Sequence, residues 1–314
     1  GSGIAGSTIA NSLSKKYSVE IFDKARGPGG RASNRRYKNN LSFDHGLQYI
    51  SPTSNNFKKF IFSLKRRNVV KEWSGNHLDF IFQKKIVLTR YVGTKGNNDI
   101  CKDLIKNIKT NYLKEVTNIN FNSGFWTITL NNKDKVFFKK LILTCPFPQL
   151  KKLSSKYLNK KILNLASEMV PNITVMAAYK NYQKIPINSI KFDDDVVAWA
   201  SNENTKKRFK SNLTLWTIQV NIKYSKKIIN IYKNDKKKYQ SEILKRFEKL
   251  TGFDNKNVVN ASIHGWKYAY TDRATSVLKS SWNNKINLGI CADWFLGPKA
   301  EDAWLSAHDL FKKI

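Results

Sequence analysis

The segment His264-Gly265-Trp266-Lys267-Tyr268-Ala269 carries the densest chemistry in the chain: imidazole, indole, ammonium and phenol within five residues. Read as a strand, its period of two puts His264, Trp266 and Tyr268 on one face and Lys267 on the other. Aromatic faces at that spacing can stack a planar ring, and His264 or Lys267 can meet an anionic group. The same pattern also suits an ordinary aromatic strand packed on a helix, and the residues alone leave both open. His264, Trp266 and Lys267 are the candidate catalytic residues. Elsewhere, His45, His77 and His308 are scattered, and Cys101, Cys145 and Cys291 are far apart. No metal-ligand spacing and no Cys-x-x-Cys results. Metal and dithiol chemistry are thus unsupported.

The elements that would position a bound organic cofactor open the chain. Gly1-Ser2-Gly3-Ile4-Ala5-Gly6 is a G-x-G-x-x-G, followed by a helical pattern with Ile4, Ile9, Ala10 and Leu13 on its apolar face. The apolar run Val19-Glu20-Ile21-Phe22 then ends in Asp23, twenty-two residues after Gly1. In this arrangement Gly1 permits a tight turn, Gly3 lets backbone approach a pyrophosphate, and Gly6 lets the helix pack close to the sheet. The helix N-terminus offers unpaired N–H groups to the phosphates, and Asp23 is placed for a ribose. A first β-strand should precede the motif, so residues ahead of Gly1 are expected to be missing from this sequence. A second glycine pair follows in Arg26-Gly27-Pro28-Gly29-Gly30-Arg31, where Arg31 can neutralise a diphosphate from the side opposite the helix. A plain nicotinamide dehydrogenase does not need this second clamp.

Here the sequence resembles the flavin-containing amine oxidase superfamily, whose members carry an acidic residue, a short basic stretch and then G-G-R. Within it the match is similar to the renalase-like oxidoreductases, with R-G-x-G-G-R. Phe43-Asp44-His45-Gly46-Leu47-Gln48-Tyr49 is similar to that family's next block. The resemblance implies FAD held by Gly1, Gly3, Gly6, Asp23, Lys24 and Arg26, then by Gly30, Arg31, His45 and Gly46. Near the C-terminus, Lys285 to Asp293 reads as a buried strand ending in a carboxylate, followed by a loop and Glu301-Asp302-Ala303-Trp304. This resembles the last motif of those flavoproteins, in which the aspartate contacts the ribityl or phosphate portion of the flavin and a helix N-terminus faces its pyrimidine end. Asp293 takes the first role, and backbone N–H groups at Asp302 and Ala303 the second. Ala292 replaces the usual glycine before Asp293. Asp302 also stands where glycine is usual, and an aspartate there can cap the helix.

Between these anchors, Phe57 to Leu64 reads as an amphipathic helix, Val69 to Trp73 and Leu78 to Phe82 as strands, and Ile100 to Ile108 as a helix. Tyr112 to Val116 reads as a strand whose backbone near Val116 could contact adenine. A hairpin over Phe125–Leu130 and Val136–Phe138 precedes a parallel strand at Leu141–Thr144, closed by Cys145-Pro146. Three further strands, within 173–179, 196–202 and 213–222, are expected to form an antiparallel sheet over the flavin. The fold class is α/β: a FAD-binding Rossmann-like, three-layer domain interleaved with an α+β substrate domain built on an antiparallel sheet. The expected FAD-binding parts are 1–50, 97–152 and 283–314, and the substrate parts 51–96 and 153–282.

The 314 residues, 41% of them hydrophobic, can build a real core. No run of eighteen apolar residues suggests a membrane span, no secretory signal is visible, and the cysteine usage fits a cytoplasmic protein. The net charge of +33 is spread as lysines along the whole chain beside abundant Asn and Ile. That is the signature of compositional bias more than of a specific nucleic-acid site, which would need a recognition motif. The partner is expected to be a small molecule, an anionic dinucleotide by the resemblance, with no membrane insertion and the oligomeric state open. The resemblance implies hydride transfer to flavin N5 from a dihydronicotinamide dinucleotide, an aberrant isomer of reduced NAD(P), with oxygen as acceptor. The alternatives are an amine or polyamine oxidase, and a non-catalytic flavin-binding basic interaction protein.

Overall fold

The computed structural model describes residues 1–38, 40–81, 84–86 (backbone alone), 89–165, 168–180, 186–271 and 277–314. Helix Ile4–Leu13 starts directly after Gly3, which offers no side chain to cap it. The helix packs against two others, Asp99–Ile105 and Ala300–Phe311. Strand Glu20–Phe22 pairs in parallel with Lys109–Asn111. Leu141–Leu143 pairs in parallel with Leu288–Ile290, and Ser281–Asn283 adds an antiparallel edge. A three-stranded antiparallel sheet, Val116–Asn122, Phe125–Leu130 and Lys135–Phe138, covers the side remote from the helices. This is the expected Rossmann-like layering. Among the described residues the two parallel pairs share no ladder. Gly1 stands between their C-terminal ends: a Cβ there would lie 3.4 Å from Thr144 Oγ1 and 3.9 Å from Asp23 Oδ2.

One expected strand is displaced. Tyr112 to Val116 is not extended throughout; the parallel strand ends at Asn111 and the next begins at Val116. The loop after Asp23 draws the chain out of the ladder, because Leu113 N donates to Ala25 O and Lys114 N to Asp23 O. Leu113 adopts φ 58° to make that turn and leaves its side chain exposed. Helix Asn55–Arg66 confirms the amphipathic reading of Phe57–Leu64, with Ser54 as its cap and Phe57, Ile61 and Leu64 inside. The strand expected over Leu78 to Phe82 is His77–Asp79, and Phe82 lies outside the described residues.

The second large element is a seven-stranded sheet in the order Val258–Thr271, Met169–Tyr179, Thr214–Val220, Val197–Asn202, Ser189–Lys191, His77–Asp79, Lys84–Ile86. It is antiparallel except where Ser189–Lys191 runs parallel to His77–Asp79. One face is apolar: Ile173, Val175, Ala177, Trp216 and Ile218 pack under helix Lys236–Thr251 through Ile243 and Phe247. Each such fully buried large side chain stabilises the fold by about 1.5–3 kcal/mol. Asp235 caps that helix by accepting from Lys238 N at 2.9 Å, and Gly252 ends it at φ 77°. The other face is mixed: Met176, Ala178 and Leu215 pack on Leu41 and Phe43, and beside them it is polar. Register carries one row straight across it: His264 opposite Thr174, Thr174 opposite Gln219, Gln219 opposite Trp199, Trp199 opposite Lys191, and Lys191 opposite Asp79. Directly opposed residues share a face, so this row forms the roof over whatever lies beneath the sheet.

Candidate functional site

A cavity of about 2590 Å³ runs from the N-terminal glycine turn, past His45 and Gly46, to the polar part of the mixed face of the seven-stranded sheet. Its first end is built of backbone. A Cβ on Gly6 would stand 2.0 Å from Gly1 O, and one on Gly30 would stand 3.2 Å from Gly3 Cα, so the two glycine turns abut. Gly29 N donates to Ser2 O across the same junction. With Gly3 as an uncapped N-cap, the first N–H groups of helix Ile4–Leu13 have no side-chain acceptor. Asp23 Oδ2 accepts from Ser2 N at 2.6 Å and Ser2 Oγ at 2.7 Å, and Oδ1 from Ala25 N at 2.8 Å. A helix N-terminus lined by glycine with an oriented carboxylate beyond it fits a dinucleotide pyrophosphate and ribose. Lys24 and Val116 also line this end, but Lys24 is exposed and lies 3.8 Å from Glu115. Arg26 is exposed and lies off the lining.

Arg31 and Asp293, expected to meet the cofactor separately, meet each other. Arg31 Nη1 and Nη2 donate to the two carboxylate oxygens at 2.7 and 2.6 Å, and Nη1 also donates to Ala269 O at 3.0 Å. This two-pronged pair ties the second glycine-rich segment to the end of the last strand and to Val258–Thr271. Both residues line the cavity. Helix Ala300–Phe311 points its start at the cavity through Ala300, Glu301 and Ala303. Asp302 does not line it. Its carboxylate turns back to accept from Lys299 N at 2.8 Å and so acts as a cap, with burial raising its pKa.

The turn after Asp44 carries the middle of the cavity. Trp266 Nε1 donates to His45 O at 2.8 Å and Gln219 Nε2 to Gly46 O at 2.8 Å, so side chains of the sheet hold this turn from above. A Cβ on Gly46 would stand 2.1 Å from Arg31 O, which leaves no room for another residue. The His45, His264 and Trp266 rings form a cluster with centroids 4.5–5.0 Å apart. His264 and Trp266 thus share a face as expected. Lys267 is exposed, with Nζ 6.0 Å from the Tyr268 ring centroid, and does not join them. Behind the turn lies a buried charge cluster that sequence reading missed. Asp44 accepts from Lys206 Nζ at 2.8 Å, from Arg208, from Asn34 and from Asn97 N. Lys206 also reaches Glu203, which accepts from Thr217 at 2.6 Å. Burial would raise Asp44, but Arg208 and Lys206 hold it well below the usual carboxylate range, while burial keeps Glu203 above it.

The far end of the cavity, also missed, is lined by Tyr49, Arg90, Trp199, Lys191 and Asp79. Arg90 stacks on Tyr49, 4.0 Å from guanidinium carbon to ring centroid, and lies 5.2 Å from the Trp199 ring. Its Nη1 donates to His77 Nδ1 at 2.7 Å and to Ser189 Oγ at 3.0 Å. Arginine can only donate, so His77 Nδ1 accepts and its Nε2–H donates to Trp73 O at 3.1 Å.

Three imidazoles are held neutral. Burial, then His264 and Arg35, push His45 down to about 3. Burial with Arg90 lowers His77 to about 4, and burial with Arg35 and Lys233 lowers His264 to about 4. Unfolded histidines take up protons near pH 6.5, which these folded ones do not. Their contribution to stability is therefore complete above that pH and is lost as pH falls toward 4. The urea midpoint is expected to drop steadily from pH 7 to pH 5, before most carboxylates titrate. A flat midpoint over that range would mean that the folded imidazoles take up protons at the same pH as the unfolded ones.

Residues 1–64 match a model of the NAD(P)-binding Rossmann-like domain, and residues 73–282 match the flavin containing amine oxidoreductase model. The fold is similar to that of a protein assigned as a protoporphyrinogen oxidase from Exiguobacterium sp. 255-15, with TM-score 0.74 and 10% identity, covering 100% of this chain and 97% of that one. It is similar to a triple mutant of putrescine oxidase, with TM-score 0.75 at 10% identity and coverage of 100% and 97%. Wild-type putrescine oxidase bound to putrescine gives 0.71 at 10%, with coverage of 100% and 96%.

Proposed function

The chain belongs to the flavin-containing amine oxidoreductase family and is a FAD-dependent oxidoreductase, and from that premise we propose that it oxidises an amine of small-molecule size, with oxygen as the final acceptor. The observation that carries this reading is the family match itself. It spans residues 73–282 and so includes every strand whose side chains roof the cavity. The non-catalytic reading falls with family membership. The structural likeness to putrescine oxidase supports an amine over the dihydronicotinamide donor that the renalase-like resemblance implies. The renalase-like donor is kept as the second reading, because Arg90 and Lys191 put cationic side chains on the cavity wall.

When bound, FAD supplies the hydride acceptor and passes the electrons on. The chain's own residues do the rest. The Gly1–Gly6 turn and the N–H groups of helix Ile4–Leu13 hold the diphosphate, with Asp23 on the ribose. The Arg31–Asp293 pair ties the second glycine-rich segment to the end of the last strand. The start of helix Ala300–Phe311, near Ala303, would face the cofactor with its positive end. His264 and Trp266 form one wall for the substrate. His264 is held neutral at physiological pH by burial, Arg35 and Lys233, so it adds no positive charge against an incoming amine and serves as wall rather than as proton acceptor. We assign residues 1–50, 97–152 and 283–314 to cofactor binding, and 51–96 and 153–282 to the substrate side.

Anaerobic addition of amines and polyamines, of dihydronicotinamide isomers and of normal NADH, followed by the flavin's visible absorbance, tests the reading. Bleaching by an amine, reversed by air, is the expected result. Bleaching only by a dihydronicotinamide isomer would replace it with the second reading, and bleaching by none would overturn both.

A further inference from the structure

Three long basic side chains are buried among the described residues, Lys206, Arg208 and Arg90, and Arg208 pairs with Asp44. Lys206 has Asp44 and Glu203 within 3.1 Å. Arg90 is 3% exposed and forms no ion pair with any described carboxylate. Both of its side-chain hydrogen bonds leave from Nη1 and end on neutral groups, His77 and Ser189. Its Nε is buried without a partner, and so is the indole Nε1 of Trp199 beside it. A buried cation without a counter-charge is costly, and a buried orphan donor adds about 1–3 kcal/mol more. Two orphan donors and an unpaired guanidinium therefore converge at one end of the cavity, on residues that line it. Burial lowers the Arg90 pKa, with only Tyr49 acting against it. An arginine nevertheless keeps its proton, so the charge has to be met by something else.

We infer that Arg90, stacked on Tyr49 and flanked by Trp199, is an oxyanion subsite, and that the substrate carries a carboxylate or a phosphate at its end remote from His264. The guanidinium fork suits either group. The roof sets the length. From His264 to Trp199 the row crosses three interstrand spacings, about 14 Å at ~4.8 Å each. An unbranched monoamine has no anionic end to offer Arg90, whereas an acidic amine or a phosphate-bearing donor does. The inference rests on the reading of this cavity as the substrate chamber.

The test is a calorimetric titration of the FAD-loaded protein with inorganic phosphate and, separately, with glutarate. One anion is expected to bind in a 1:1 ratio, and which one it is separates the phosphate from the carboxylate source. Arg90→Met is expected to weaken that binding at least tenfold, and Arg90→Lys to retain part of it. Trp199→Phe, which removes the orphan N–H and keeps a ring, should weaken it roughly fivefold. Lys237→Met, an exposed lysine on the distant helix, should leave it unchanged. If Arg90→Met does not fold, as judged by circular dichroism, Arg90→Lys and Trp199→Phe decide the matter. No 1:1 binding of either anion, or equal binding in the Arg90 and Trp199 variants, would overturn the inference. Amine bleaching of the flavin with anion binding untouched by Arg90 would sink the subsite alone. Anion binding lost in Arg90→Met with no donor able to bleach the flavin would sink the proposed activity and leave the subsite standing.

Discussion

The Gly6→Ala protein is expected to purify without flavin. A Cβ at this position would stand 2.0 Å from Gly1 O, 3.0 Å from Gly1 C and 3.0 Å from Thr144 Oγ1. Real contacts are never that short, so Gly1 has to move. Gly1 and Ser2 cannot move alone, because Ser2 holds Asp23 through both its N–H and its hydroxyl. The change therefore displaces the turn that faces the diphosphate and the carboxylate that faces the ribose together. Helix propensity pushes the other way: alanine in place of glycine favours the helix by about 1 kcal/mol. The fold should therefore persist while affinity for FAD falls at least ~100-fold, the equivalent of about 2.7 kcal/mol. The ratio of flavin to protein absorbance after gel filtration reads this directly, with circular dichroism as the check on folding. A yellow variant with the parent ratio would mean that the turn lies away from the cofactor.

The parts of this protein that were legible in its sequence are those whose signal is local. Gly1 to Asp23 compresses turn, helix, strand and carboxylate into one continuous segment, and Lys285 to Trp304 does the same at the other end. In both, backbone geometry demands particular residue types. Within strand Val258–Thr271 the segment His264–Ala269 was legible through its period of two, which placed His264 and Trp266 on one face. What was not legible depends on pairing between distant residues. Arg31 and Asp293 are 262 positions apart, and each was read as a cofactor contact because nothing local to either indicates the other. Arg90 was hidden by the composition: among 56 lysines and arginines, one more cation in a loop carries no information until burial singles it out. Tyr112–Val116 misled because its apolar residues suggest a strand, whereas hydrogen bonds to the loop after Asp23 turn the chain there. At Asp302 the cap that an aspartate at a helix start can make is what the geometry gives.

The Asp44–Lys206–Arg208–Glu203 cluster leads to the largest expected loss of stability. Asp44→Asn keeps the size of the side chain and removes its charge. Lys206 and Arg208 then face Glu203 as the one remaining carboxylate of the cluster, and a buried positive charge is left uncompensated. Breaking a buried pair from one side costs about 3–5 kcal/mol. At an unfolding entropy of ~2.1 cal/mol/K per residue, that is a fall in Tm of roughly 5–8 °C for a chain of this length. Lys206→Met should cost less, because Asp44 keeps Arg208, Asn34 and the Asn97 N–H, and Glu203, already biased toward its protonated form, can go neutral. The double variant should be more stable than the sum of the two losses predicts, since each change removes the partner that the other leaves stranded. The effect should also reach the site. Gln48 Nε2 donates to Asp44 O and Gly46 O, and Gln48 Oε1 accepts from Ser201 of the sheet at 2.7 Å. The charges thus anchor the turn that sets His45 and Gly46 against the cavity. Thermal melts of the three variants with and without added FAD separate the two effects. If Asp44 acts only on stability, FAD raises every Tm by the same amount; if it also positions the turn, the increment shrinks in Asp44→Asn.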